Sequence, residues 1–311
     1  MPSIKELTNK LKNYQSTKKI TSAMKLVAAS KLRRAQDATE RTRPYRAELS
    51  GLLADLQASL QTLDVDPSIS PWLAKREIRH ISVVVFTSDK GLCGSFNNGM
   101  SRAVEKALGL RPMDLDPQQF PGLCELNAHI RRGVKVTVHF AGRKGYESLR
   151  SRIAPESMGE NFHGVTAKPS LAESLRISDR LIEDYLSGKT DAIFLAGNRF
   201  VSPLTQIPQA QQIFPSVETG AKGRGKSALF DPDPAAVLSS LIPQSIRFLV
   251  LNALLENAAG EHGARMTAME NATRNTKEMI DKTTLLRNRV RQANITRELI
   301  EIISGAESLK R

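Results

Sequence analysis

Ser3-Ile-Lys-Glu-Leu-Thr-Asn-Lys-Leu-Lys-Asn-Tyr14 places Ile4, Leu7, Leu11 and Tyr14 three, four and three residues apart. That is the spacing of one face of an α-helix. Ile20, Met24 and Val27 resume the stripe one residue out of strict heptad register, a drift that suits a gently supercoiled helix pair. Leu49, Leu53, Leu56, Leu60 and Leu63 extend it, so residues 3–60 are expected to form one long helix ending at Asp64-Val-Asp-Pro67. Pro44 falls inside the pattern and is expected to kink or interrupt it.

The other end of the chain is also helical in pattern, over residues 234–304. Asp233-Pro234 supplies an N-cap followed by proline at the first helical position. Pro243 is expected to separate a first piece from a second beginning near Ser245. Met266, Met269, Thr273 and Ile280 form a stripe, continued by Leu286, Val290 and Ala293 and ending in Leu299, Ile302 and Ile303 before Ser304-Gly305. Thr17, Ser30, Thr273, Thr276 and Ala293 make the stripes poor in large apolar side chains, so the pair is expected to need a surrounding partner.

Between the two, residues 78–215 alternate. Strands are expected at Ile81–Phe86, Val134–Phe140 and Asp191–Ala196, with a fourth at Arg199–Ser202. Helices are expected at Asn97–Leu108, Lys144–Arg152 and Ser170–Leu186, the last with Ser170 and Glu173 as a capping box. Such alternation implies a mostly parallel sheet. A helix over residues 3–60 would be roughly 85 Å long. A compact domain of about 140 residues has a radius of gyration of only about 14 Å. The fold class expected is therefore α/β: a long antiparallel coiled coil of the N- and C-terminal helices, with a central mostly parallel, Rossmann-like domain at its base. The divisions fall at 1–66, 67–232 and 233–311.

The chain has 311 residues, 40% hydrophobic and 25% charged, which are globular values. Its net charge is +13, and residues 1–60 hold 12 Lys+Arg against 5 Asp+Glu. A basic excess of this size implies an acidic partner, whether nucleic acid, lipid surface or protein. Cys93 and Cys124 stand in no CxxC or metal-like pair and are expected to be free thiols in a reducing compartment. The longest apolar run, Phe248–Leu255, is broken by Asn252 and falls far short of the ~18 residues of a membrane span. No signal-peptide apolar region is present, and Glu6 with the regular repeat argues against a transit peptide.

Two glycine loops suggest phosphate chemistry. Gly220-Ala-Lys-Gly-Arg-Gly-Lys226-Ser227 fits the P-loop pattern, but that chemistry needs a strand before the loop and a helix after it. Pro215 breaks the first, and Pro232 and Pro234 leave no room for the second, so a solvated linker is expected. Thr87-Ser-Asp-Lys-Gly91-Leu-Cys-Gly94-Ser-Phe-Asn97 does join a strand to a helix, yet it lacks the GxGxxG spacing and a ribose-binding acid. A tight turn is the simpler expectation. His80, His129, His139, His163 and His262 have no ligand spacing, and no HExxH or GxSxG occurs.

The stretch from Gln15 to Gln36 with Arg43-Pro-Tyr45, the loop Gly91-Leu-Cys-Gly94 with Asn97, Glu261–Met269, and Arg291-Gln-Ala-Asn-Ile-Thr-Arg-Glu-Leu-Ile-Glu-Ile-Ile-Ser-Gly-Ala306 together resemble the gamma subunits of F-type ATP synthases. The likeness spans the chain and is weakest over 109–130 and 208–229. It departs from the family at Gly263, where alanine is frequent, and it lacks the paired-cysteine insert of chloroplast members.

The resemblance implies a central-stalk rotor subunit without catalytic site, cofactor or metal. Its rotation would couple proton flow through a membrane ring to ATP synthesis or hydrolysis. The implied partners are the alpha and beta subunits, an epsilon subunit and the c-ring, with no nucleic acid, on the cytoplasmic face of a bacterial inner membrane. Implied contacts are Arg291, Gln292 and Thr296 with a beta-subunit catch loop, Met24, Lys25 and Leu26 on the shaft, and Phe230 and Asp231 at the foot near the ring. The alternatives are an NTPase using Lys226 and a coiled-coil nucleic-acid binder using the basic first helix.

Overall fold

A computed structural model describes residues 3–62, 71–72, 76–215 and 234–308. The chain divides into two compact units: residues 1–28 with 265–311, and residues 29–264. The two long helices are α1, Ile4–Thr62, and α6, Pro234–Ser308.

In the first unit α1 and α6 pair along a seam with a strict seven-residue repeat. Leu7, Leu11, Thr21 and Ala28 are buried on α1, with Tyr14, Lys18 and Lys25 half-buried between them. On α6 Met269 and Val290 are buried, and Met266, Thr273, Thr276, Ile280, Thr283, Arg287 and Asn294 are half-buried. This corrects the expected stripes. Ile20 and Val27 are 57% and 56% exposed, and Leu286, Ala293, Leu299, Ile302 and Ile303 are exposed too. The apolar side chains lead the eye out of register. A constant 3–4 alternation instead carries the stem of Lys18 and the small Thr21 into the seam, because long cationic side chains cover apolar surface while their heads stay in water. The Thr273 hydroxyl donates to the Thr21 hydroxyl at 2.8 Å, which donates in turn to the Lys18 carbonyl at 3.2 Å, so the buried Thr21 hydroxyl is satisfied.

The second unit holds a five-stranded sheet in the order β3-β2-β1-β4-β5. The strands are β1 (His80–Phe86), β2 (Lys135–Ala141), β3 (Met158–Phe162), β4 (Ala192–Phe200) and β5 (Gln206–Phe214). All neighbours are parallel except β4 and β5. β1 lies at the centre, and six of its seven residues are buried, as a strand covered on both faces requires. Ile81, Val83 and Val85 pack against α2 (Phe96–Ala107), α3 (Pro121–Arg131) and α4 (Arg143–Leu149). Val84 and Phe86 face α5 (Leu171–Leu186) and the Ile242, Ile246, Val250 and Leu254 stripe of α6. Ser170 caps α5, its hydroxyl accepting from the Glu173 backbone N–H at 3.3 Å.

Several expectations are corrected here. Arg199–Ser202 is not a separate strand, because β4 runs on to Phe200 and turns into β5. Strands β3 and β5 and helix α3 were unexpected. β5 is an edge strand rich in glutamine with Pro208 in it, and edges tolerate both. Neither Pro44 nor Pro243 ends its helix. Pro44 is exposed, so the carbonyl it leaves unpaired can turn to water. Gly263 lets the β4–β5 turn approach α6, since a Cβ there would lie 3.1 Å from Phe200 Cε2 and 3.1 Å from Pro203 Cα. Gly122 is tighter still: its Cβ would stand 1.8 Å from the Ala210 carbonyl oxygen of β5.

Candidate functional site: the helix pair and the uncovered end of α6

Two contacts fix how the helices of the first unit run. Lys25 Nζ lies 2.7 Å from Glu270 Oε1, and Thr21 meets Thr273. As α1 steps back, α6 steps forward, so the pair is antiparallel. The hydrogen bond from Lys25, and then its charge, holds the Glu270 carboxyl below its usual range. The same offset sets Ile4 opposite the neighbourhood of Val290. Residues 291–308 of α6 therefore continue past the start of α1, roughly 27 Å of helix with no α1 residue beside it.

That overhang is amphipathic. Ile295, Leu299, Ile300, Ile302 and Ile303 are all exposed. At 100° per residue they fall within an arc of about 160°. Gln292 and Thr296 project into this arc and Arg291 stands at its margin. All three are exposed, and the Thr296 hydroxyl donates to the Gln292 carbonyl at 3.0 Å. An apolar face of this kind left in water marks an interaction surface.

The expected trio on α1 does not share one surface. Met24 and Lys25 are half-buried, and Lys25 is engaged with Glu270, whereas Leu26 is 69% exposed. Around them α1 carries exposed Lys5, Lys10, Lys12 and Lys19. Phe230, Asp231 and the Gly220–Ser227 loop with Lys226 lie outside the described residues.

The second glycine loop is braced by its own side chains. Asn97 Oδ1 accepts from the Ser88 backbone N–H at 2.9 Å, while its Nδ2 donates to Ser88 Oγ at 2.8 Å and Cys93 Sγ at 3.2 Å. Gly94 has φ +58° and Leu92 φ +64°, so the turn is left-handed at two positions. The polar groups of Asn97 are spent on the turn itself, which is how the residue serves as a latch. Asn257 of α6, buried, donates to the Thr87 carbonyl at 3.0 Å and ties the helix to the end of β1. Among the described residues no group of three or more His, Cys, Asp or Glu side chains is placed to hold a metal ion. No described helix is long and apolar enough to cross a membrane.

An antiparallel pair of terminal helices and a parallel-rich α/β unit together define the class of this α/β protein. Solved structures share this fold. A chain of the Euglena gracilis mitochondrial ATP synthase, in the OSCP/F1/c-ring part, matches with a TM-score of 0.63 at 17% identity, over 98% of this chain and 94% of that one. A chain of the Tetrahymena thermophila mitochondrial ATP synthase, in its central stalk and c-ring, gives 0.55 at 22% identity, over 81% and 99%. By sequence, the chain matches the ATP synthase family over residues 3–309. The ATP synthase gamma chain of Chelativorans sp. (strain BNC1) is 40% identical over 315 residues, covering 99% of this chain and 100% of the relative. That of Paracoccus denitrificans (strain Pd 1222) is 39% identical over 310 residues with the same coverage. The chain belongs to the ATP synthase gamma-chain family, and its role is that of the central-stalk rotor subunit. Neither the NTPase nor the nucleic-acid alternative finds support among these relatives.

Proposed function

We propose that this chain is a non-catalytic shaft that couples proton flow through a membrane c-ring to ATP synthesis or hydrolysis on alpha and beta subunits. It would be held peripherally at the cytoplasmic face of a bacterial inner membrane, with an epsilon subunit beside the α/β domain. The observation that carries this reading is the exposed aliphatic arc of Ile295, Leu299, Ile300, Ile302 and Ile303 on the uncovered end of α6. A helix end of this kind gains by sitting inside a ring of partners, and the thinly apolar seam behind it gains the same support. Arg291, Gln292 and Thr296 border that arc and are assigned to a beta-subunit catch loop. A guanidinium holds a carboxylate through two parallel bonds, a contact that rotation can make and break. Leu26 is assigned to the ring wall, Met24 and Lys25 to the rigidity of the shaft, and Phe230 and Asp231 to the foot. The domains implied are 1–66, 67–232 and 233–311.

The test is the double substitution Arg291→Ala with Gln292→Ala in the assembled complex. One charge-assisted bond is worth roughly 1.5–3 kcal/mol, or about 10- to 150-fold if it acts fully in the limiting step. Normal assembly is expected, with ATP hydrolysis and ATP-driven ion pumping falling together. Wild-type rates in a normally assembled complex would refute the catch assignment.

A further inference from the structure

In the second unit a cavity of about 260 Å³ lies between the β4–β5 side of the sheet and the helices α1 and α6. Its charged lining is Arg46 of α1, Arg199 of β4 and Glu256 of α6, and its amides include Asn252, Gln209 and Gln211. Both arginines are exposed at its rim and Glu256 is half-buried. Burial raises the Glu256 carboxyl above its usual range, against the opposing pull of Arg46, the Phe200 backbone N–H and Arg199. Two guanidiniums therefore face a single carboxylate, and that carboxylate is the one disposed to take a proton. The helix pairing of the first unit makes no use of these groups, nor does the aliphatic arc.

The chemistry of such a lining is specific. Guanidiniums present planar forks that match the oxygens of a phosphate or carboxylate. A carboxyl beside them can share a proton with a weakly acidic oxyanion, and the amides offer both donors and acceptors. The volume is below the ~300–1,000 Å³ of sites that enclose drug-sized molecules, so the occupant is compact. We propose that this cavity binds a small oxyanion, an inorganic phosphate or a short dicarboxylate, clamped by Arg46 and Arg199 with Glu256 as its proton-sharing neighbour. The proposal does not depend on the shaft reading, because every group in it belongs to the α/β unit.

The experiment is calorimetric titration of the full chain with inorganic phosphate and, separately, with succinate, in about 0.1 M KCl to screen the general attraction of a chain of net charge +13. At least one titrant is expected to bind with a dissociation constant on the order of a millimolar or tighter. Which of the two binds identifies the source of the oxyanion. Arg199→Gln and Arg46→Gln should each weaken it about tenfold or more, the effect of losing one charge-assisted bond. Glu256→Gln, whose amide keeps a hydrogen-bond donor where the protonated carboxyl shares its proton and cannot carry a negative charge, should leave binding unchanged or tighten it. Circular-dichroism melts confirm that each variant is folded. Failure of both titrants to bind at 10-millimolar scale would overturn the proposal. So would binding that survives both arginine substitutions, which would be the diffuse attraction of a basic surface.

Discussion

His139 gives the α/β unit a stability that depends on pH, and the size of the effect follows from its surroundings. It is buried on β2, its Nδ1 accepts from the Glu160 backbone N–H at 3.1 Å, and its Nε2 has no hydrogen-bond partner. Burial lowers its pKa from 6.5 to about 4; Asp184 opposes the shift, and Arg180 adds to it. The folded state therefore resists protonation that the unfolded chain accepts. The stability is fully present above pH 6.5 and is lost as the pH falls from there towards 4. A shift of that size is worth at most about 3.4 kcal/mol, and between pH 7.5 and 5 the loss is about 2 kcal/mol. His139→Asn keeps an acceptor where Nδ1 stands and cannot titrate. It should be less stable at pH 7.5, because it leaves a small void, but should lose about 2 kcal/mol less than the wild type on going to pH 5. Urea denaturation of the full chain, followed by far-ultraviolet circular dichroism at the two pH values, measures both. Equal pH dependence in the two proteins would refute the reasoning.

Gly122→Ala puts a methyl group 1.8 Å from a backbone carbonyl of β5, so α3 must shift, and a loss of about 2–4 kcal/mol is expected in the same denaturation assay. Lys226→Ala should leave ATP hydrolysis by the assembled complex unchanged, because Pro215 before the Gly220–Ser227 stretch and Pro232 and Pro234 after it do not fit the sequence pattern of a phosphate-binding loop. A drop of more than about tenfold would restore the nucleotide-binding alternative.

What was legible in the sequence was whatever periodicity carries. The helical ends, the buried strand Ile81–Phe86 and the capped helix at Ser170 announce themselves through spacing and cap chemistry. Ile20 and Val27 fall outside the seam because a polar-seamed coiled coil puts threonine and a lysine stem at positions where isoleucine would be expected. β3 and β5 carry no alternating apolar signal because edge strands need apolar side chains on neither face throughout. The residues assigned to partner contacts came from resemblance to a family motif, since a docking surface has no period of its own. The cavity at Arg46, Arg199 and Glu256 had no sequence signal at all, its members being brought together only by the fold.

The central claim is that this chain turns within its complex. The direct measurement fixes a gold rod to Leu204→Cys on the β4–β5 turn, where the native side chain is 80% exposed, with Cys124 replaced by serine. The surface-held complex is then supplied with ATP under a microscope. The account predicts stepwise rotation of the rod in one direction, ceasing when ATP is removed. Sustained ATP hydrolysis with the rod stationary would contradict it.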